Sequence, residues 1–344
     1  MENVILWIFL IACTLSWGIA EIYYKKGNLE KEKYSHLKTS IFVGFFFGAY
    51  ALVITIIQSV QDINFLKFLP INMLIYLPVA LCYLVSMTCS YFGVRFIEES
   101  ISDPIENTSG AIVPILCAIF LHETIDSPWI IVAIVIIAVG LICVSFFDKE
   151  GRENRHNKFG KKLAIWAFAM PFCYMLLDAT GTFLDIFYTE DAASSILKGF
   201  GDSAILDESM LEHMANCCYQ YIFFIVAIGL YIFIRLKGEK LFSLGNQTDE
   251  NGNLITTDGL KWYQKAWLQR NKLLAAFFET AGQATYLFAL SEGTGIAAVI
   301  LGAGTVICSL ILSRIFLKEK LTLIQYIFIF VIMAGIIFLA VMGG

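Results

Sequence analysis

The sequence predicts an all-α integral membrane protein of ten transmembrane helices, arranged as two inverted five-helix repeats. Three observations predict it. The chain of 344 residues is 58% hydrophobic and 15% charged, with a mean hydropathy of +0.73, whereas soluble domains run near 45–50% apolar and about 25% charged. It holds ten apolar stretches close to the ~20 residues that a ~30 Å hydrocarbon core demands. Residues 90–147 and 285–342 are rough copies of each other. Phe120-Leu121-His122-Glu123 in the first copy matches Phe316-Leu317-Lys318-Glu319 in the second, and each is followed by an apolar span with a glycine, Gly140 or Gly335.

In chain order the spans are 4–24, 40–60, 71–94, 101–121, 129–147, 163–188, 217–236, 273–290, 295–317 and 322–342. Helices alone account for apolar runs of this length, because lipid offers no partner to an unpaired backbone group. The first is expected to stay as a span rather than be cleaved as a leader. It has no basic flank before it and no small-x-small cleavage site, and it ends in Glu21 and the pair Lys25-Lys26. The polar, basic, glycine-containing segment 148–162 reads as a linker between a first half, 1–147, and a second, 163–344. Five is odd, so the second half enters the membrane in the opposite sense, the arrangement of inverted-repeat transporters. Leu6-Trp7-Ile8-Phe9 and Ile165-Trp166-Ala167-Phe168 extend the repeat to the first span of each half.

The second half carries two insertions, 189–215 and 237–272. The first is acidic. The second is rich in turn residues, Gly245-Asn246 and Asn251-Gly252-Asn253. It ends in a stretch where Leu260, Trp262 and Trp267 alternate with Lys261, Lys265 and Arg270. That stretch reads either as an amphipathic helix on the membrane surface or as a solvated loop.

Of the 24 Lys and Arg residues, 22 lie in the odd-numbered loops and the rest, Lys67 and Lys198, in even ones. The positive-inside rule places the odd loops in the cytoplasm and both termini outside. A net charge of −5 and a pI near 5.5 give no footprint for nucleic acid. Among nine cysteines, Cys13, Cys82, Cys89, Cys117, Cys143, Cys173 and Cys308 lie inside spans, and Cys217-Cys218 open one. No CxxC occurs, so packing explains them better than a metal or redox site. The chain has no GxSxG, HExxH or GxxxxGK[ST] and no intramembrane histidine set, so neither a catalytic residue nor a cofactor is expected.

Carboxylates within spans carry the functional signal. At the bilayer centre each costs about 2.5–3.5 kcal/mol on insertion scales and needs a partner, a wet cavity or a proton. The candidates for binding substrate or proton are Glu106, Glu279, Asp178 and Glu21, in spans 4, 8, 6 and 1. Glu106 ranks first, because Pro104 removes a backbone donor and Asn107, Thr108 and Ser109 follow it as a polar patch. Asn107, Tyr83, Tyr174 and Tyr286 join the set as polar and aromatic lining. Glu98, Glu99 and Asp103, at the start of span 4, read as interfacial. Asp185 ranks lower, near the external end of span 6. Glu123 and Glu319 read as structural, and the small-residue stretch Gly302-Ala303-Gly304 as helix packing.

These features resemble the drug/metabolite transporter superfamily, and within it the ten-span EamA-like transporters. The resemblance lies in Leu15-Ser16-Trp17-Gly18 with Lys25 following, and in the aromatic exits Tyr91-Phe92-Gly93-Val94 and Tyr286-Leu287-Phe288-Ala289-Leu290. It lies also in the two Phe-Leu-x-Glu landmarks ahead of glycine-bearing spans. It covers nearly the whole chain apart from the two insertions. Two features depart from the family pattern: the fourth-span proline is displaced to Pro104 and Pro114, and the ninth span has none. The resemblance implies a secondary transporter, an exporter or exchanger of a small polar metabolite such as an amino acid. It would work by alternating access with possible proton coupling, as a multi-pass protein of the cell membrane. Its partners would be the small-molecule substrate and the lipid bilayer, with the chain a monomer or homodimer. A membrane-embedded enzyme or a receptor-like sensor is the alternative. The absent nucleophile–base set weighs against the enzyme, and the absent output domain against the sensor.

Overall fold

The computed structural model describes residues 2–122, 127–146, 161–191, 196–201, 205–244, 259–319 and 322–342. Glu123 and most of the linker lie outside the described residues. Within them the chain is helical and contains no strand. The helices are α1 (Glu2–Gly27), α2 (Ser35–Gln61), α3 (Asn64–Ile75), α4 (Leu77–Gly93), α5 (Glu99–Glu106) and α6 (Ser109–Phe120). They continue as α7 (Pro128–Phe146), α8 (Lys161–Ile186), α9 (Leu211–Leu236), α10 (Trp262–Leu268), α11 (Arg270–Leu312) and α12 (Leu323–Met342).

Among the described residues, five stretches are long and apolar enough to cross a membrane: Ile5–Gly27, Ser35–Gln61, Ile165–Thr189, Leu211–Leu236 and Ala297–Leu317. The pair α3 and α4, bent by 63°, makes a sixth if counted as one span, and Pro128–Cys143 and Leu323–Phe338 are shorter apolar helices. Large aliphatic and aromatic side chains such as Ile8, Ile56, Trp166 and Phe330 stand exposed on the outer faces. Lipid tails are their natural solvent, while tyrosines such as Tyr24, Tyr83, Tyr91 and Tyr286 and the carboxylates of Glu106, Asp185 and Glu279 turn inward.

Three departures from the expected spans have local causes. The third span is not one straight helix from residue 71. A separate helix, α3, starts at Asn64, and the chain bends at Tyr76, between Pro70 inside α3 and Pro78 in the first turn of α4. Proline removes a ladder donor and crowds the preceding carbonyl, so the bend falls between the two. The fourth span is broken into α5 and α6. The Thr108 hydroxyl takes the Pro104 carbonyl at 2.8 Å, and the Thr108 amide bonds Ile105 in a tighter turn. The eighth and ninth spans are assigned as one helix of 43 residues, which drawn straight would be roughly 64 Å long. It is not straight. Within α1, Trp17 packs on Gly282, while Thr14 packs on Gly304 and Gly18 on Cys308. One turn of α1 therefore meets two distant parts of α11, which doubles back so that both limbs flank α1.

Helices of the two halves interleave. α1 packs against both limbs of α11, and α8 packs against α4, α5 and α6. α2 lies on α9, and α7 on α12. The last contact is reciprocal. A Cβ at Gly140 would lie 2.7 Å from Ile332, and one at Gly335 would lie 2.8 Å from Ile137. Absent side chains let these backbones approach, as at small-residue crossings in lipid. The Phe-Leu-x-Glu landmarks also share a backbone: His122 and Lys318 both take positive φ, 57° and 60°, the left-handed geometry that ends a helix.

Among the described residues, the odd-numbered connections gather at one end of the bundle. Arg95 donates to the Glu30 and Glu32 carbonyls at 3.0 and 2.8 Å, and Lys38 to the Ser243 carbonyl at 2.6 Å. The carboxylate of Glu319 accepts the amides of Glu99 and Ser100. At the other end Asn72 exchanges two hydrogen bonds with the backbone of Lys198. α10 forms within the second insertion, none of its residues buried and Trp262 79% exposed.

Candidate functional site

A central cavity lies among α1, α4, α6, α8, α9 and both limbs of α11, between helices of a bundle, one of the places where small-molecule sites form. Seven aromatic residues line it: Trp17, Tyr24, Tyr83, Tyr91, Tyr174, Tyr219 and Tyr286. Three acids, Glu21, Asp178 and Glu279, join them, together with Ser90, Asn107, Ser109, Thr182, Gln283 and Thr305. Among the described residues, no Lys, Arg or His lines it.

The break between α5 and α6 brings Asn107, Ser109 and Gly110 to the cavity wall. The backbone can come this close because the facing limb of α11 carries glycine, with a Cβ at Gly302 lying 2.7 Å from the Asn107 carbonyl. The small-residue stretch that read as packing alone therefore packs and lines, since Gly302 and Thr305 both border the space.

The acids are held by hydroxyls. Glu279 accepts from Tyr24 at 2.8 Å, and Tyr24 accepts in turn from Tyr91 at 2.9 Å. Asp178 accepts from Ser109 at 2.7 Å, and Tyr174 bonds the same carboxylate. Tyr83 and Tyr286 share a hydroxyl contact of 2.7 Å, and each meets Thr182 at 3.0 Å. The Trp17 ring lies 5.1 Å from that of Tyr286. Glu21 differs, because its buried Oε2 has no hydrogen-bond partner.

Of the eight residues named from the sequence, Glu279, Asp178, Glu21, Asn107, Tyr83, Tyr174 and Tyr286 all border this cavity. Glu106 does not. It is buried beside its own helix turn and accepts the Ser102 hydroxyl at 2.7 Å. Glu99 and Asp103, read as interfacial, are buried under neighbouring helices with the rest of α5. Residues outside the set named from the sequence also take part, among them Asp185, which ranked lower there. Asp185 accepts from Tyr83 at 2.6 Å and from Tyr76, closing one side of the tyrosine cluster. Tyr219 and Gln283 complete the wall, and no local signal separates them from packing residues. Outside the spans, Glu32 is fully buried with Lys38 and Lys272 at 3.0 and 2.5 Å. Burial alone would push its carboxyl up, yet the two ammonium groups outweigh that and hold it below its ordinary value.

A tyrosine-rich cavity at the meeting of two interleaved halves invites comparison with known transporters. The EamA-like transporter family model matches the chain twice, over residues 4–146 and again over 220–341. The chain belongs to the EamA-like transporter family. This EamA-like protein is accordingly a multi-pass membrane transporter of the drug/metabolite superfamily, and that family consists of transporters rather than enzymes. A solved structure, titled only as the crystal structure of a protein, aligns over 98% of this chain and 96% of its own. Its identity is 10% and its TM-score 0.59, a likeness of fold alone. No curated protein matches the chain.

Proposed function

We propose that this EamA-like protein is a secondary transporter of a small polar metabolite bearing a positively charged amine, such as an amino acid or a related compound. One observation carries the reading: the cavity offers three carboxylates and seven aromatic rings with no cationic side chain among its lining. Carboxylates pair with an ammonium group, and aromatic faces attract it by about 0.5–2 kcal/mol each. Asp178 and Glu279, each steadied by a hydroxyl, take the amine. Asn107, whose side-chain nitrogen is engaged by Asp103, offers its side-chain oxygen as an acceptor to the substrate, and Tyr83, Tyr174 and Tyr286 pack its sides. Glu106, off the wall, acts on the α5 turn rather than on substrate.

Ten spans in two inverted five-helix halves, with exchange by alternating access, complete the reading. Its support is the interleaving of α1 with α11 and of α8 with α4 to α6, and the doubled-back α11. The reciprocal Gly140 and Gly335 crossing adds to it, since a two-fold relation makes each partner's contact repeat in the other. The halves are 1–147 and 163–344, the gathered basic loops face the cytoplasm, and the chain works in the cell membrane as a monomer or homodimer. Exchange or export is driven by a coupled charge, a proton for example, worth about 2.3 kcal/mol per 100 mV.

The test is uptake or counterflow in proteoliposomes over a metabolite library in which each amine is paired with its N-acylated form, with and without a pH gradient. Transport confined to free amines supports the reading. Preference for anions or for the acylated partners overturns it.

A further inference from the structure

We propose a divalent-cation site formed by Glu21, Glu99 and Asp103, at the basic-loop end of the substrate cavity. One carboxylate oxygen from each of the three lies within 4.8 Å of the others. That spacing lets a single ion reach all three at the about 2.3–2.6 Å of calcium–oxygen coordination. The ligands come from two elements that only the fold brings together, α1 and α5.

A second observation points the same way. Glu99 is 1% exposed, and neither of its carboxylate oxygens has a hydrogen-bond partner; Oε2 of Glu21 is likewise buried and unpartnered. Buried polar atoms are nearly always satisfied, and an ionised carboxylate left bare is among the costliest exceptions. The usual remedy is absent here. The amides of Glu99 and Ser100, at the start of α5, are taken by the Glu319 carboxylate at 3.2 and 3.0 Å. Asp103 is anchored by the Asn107 amide at 2.6 Å and by Ser309, so it is held as a fixed ligand.

The charge of the cluster draws a cation. Three carboxylates face Lys25, whose ammonium is pinned by the carbonyls of Val94 and Ile97 beside Glu99. Glu106 and Glu319 add to the negative field at Glu99. Oxygen-only ligation favours a hard ion such as Ca²⁺ or Mn²⁺ over softer metals. Glu21 also borders the cavity, so the ion would hold the wall against which substrate binds. The site stands independently of what that cavity carries.

The experiment reads equilibrium binding, not transport. Purified full-length protein in detergent, stripped with chelator, is titrated with Mn²⁺ by paramagnetic resonance and with Ca²⁺ by thermal unfolding. One saturable Mn²⁺ site and a Tm that rises with Ca²⁺ are expected, since a ligand of the folded state alone stabilises it by mass action. Glu99→Gln and Asp103→Asn should each weaken Mn²⁺ at least tenfold and abolish the Ca²⁺ shift. Glu30→Gln, outside the cluster, should change neither. Absence of saturable binding by the unsubstituted protein overturns the proposal. So does wild-type affinity in a monodisperse Glu99→Gln protein, and so does equal loss in Glu30→Gln. If one variant fails to fold, the other decides the point.

Discussion

Tyr24 and Glu279 sit 255 residues apart in the chain and 2.8 Å apart in space, and that single bond orients the carboxylate toward the cavity. A hydrogen bond to a charged group contributes about 1.5–3 kcal/mol. Glu279→Gln should therefore weaken substrate binding by roughly 10–100-fold, measured by substrate-dependent quenching of the cavity tryptophan and tyrosines in the purified protein. Glu106→Gln should leave that affinity within about two-fold, because Glu106 is not itself on the cavity wall and its carboxyl is taken up by Ser102 and Ser90. An equal loss in both variants would move Glu106 back into the site. Glu32 titrates in a readable way. Its carboxyl is held below its ordinary value of 4.5 by Lys272 and Lys38 acting against burial. The stability it contributes is thus fully present above about pH 4.5 and is lost as pH falls through its folded value. Thermal unfolding from pH 7 to pH 3.5 should show Tm falling less steeply in Glu32→Gln than in the wild type. Parallel curves would remove Glu32 from the account.

Helix pairs in this bundle are set by where glycine permits contact. Gly302 faces a backbone carbonyl, the Asn107 oxygen, whereas a Cβ at Gly229 of α9 would meet nothing within 4 Å. A carbonyl cannot turn aside as a side chain can, so Gly302→Ala must push α11 away from the α5–α6 break. It should cost about 1–3 kcal/mol, the range for overpacking, and reduce substrate affinity as the Asn107 wall shifts. Gly229→Ala should be neutral or stabilising, since it removes backbone freedom from the unfolded chain. Comparing the two by thermal unfolding separates tight packing from mere glycine content. The broken fourth span has the same logic: Pro104 was visible in the sequence, but the Thr108 hydroxyl decides where the helix tightens.

Across the whole molecule, the ends of the helices sort into two sets that never mix in the hydrogen bonds described above. Glu30, Arg95, Ser243 and Lys272 meet at one end, and Asn72 and Lys198 at the other. If the basic end faces the cytoplasm, a membrane-impermeant thiol reagent applied to intact cells should label Lys198→Cys. It should spare Lys33→Cys until the cells are opened. The reverse pattern would invert the orientation while leaving the fold untouched. Two of the basic residues at that end, Lys38 and Lys272, are buried in ion pairs and not solvated.

The sequence by itself determined that this chain is helical and membrane-embedded, and that its two parts are alike. Hydropathy is local and additive, so a run such as residues 129–147 declares itself without reference to any neighbour. The matched landmarks around His122 and Lys318 carry their backbone geometry with them. It also named three carboxylates and three tyrosines of the cavity wall, because a carboxylate or tyrosine inside an apolar run has few reasons to be there. Only the tertiary structure decided which way each helix turns. That rotation takes Glu106 off the wall, buries Glu99 and Asp103 beside Glu21, and joins Glu32 to a lysine 240 residues away. It likewise shows α11 folding back on α1, where the sequence marked two spans and the helix assignment marks one. Such contacts depend on the helical phase of several segments at once, and no single segment holds that information.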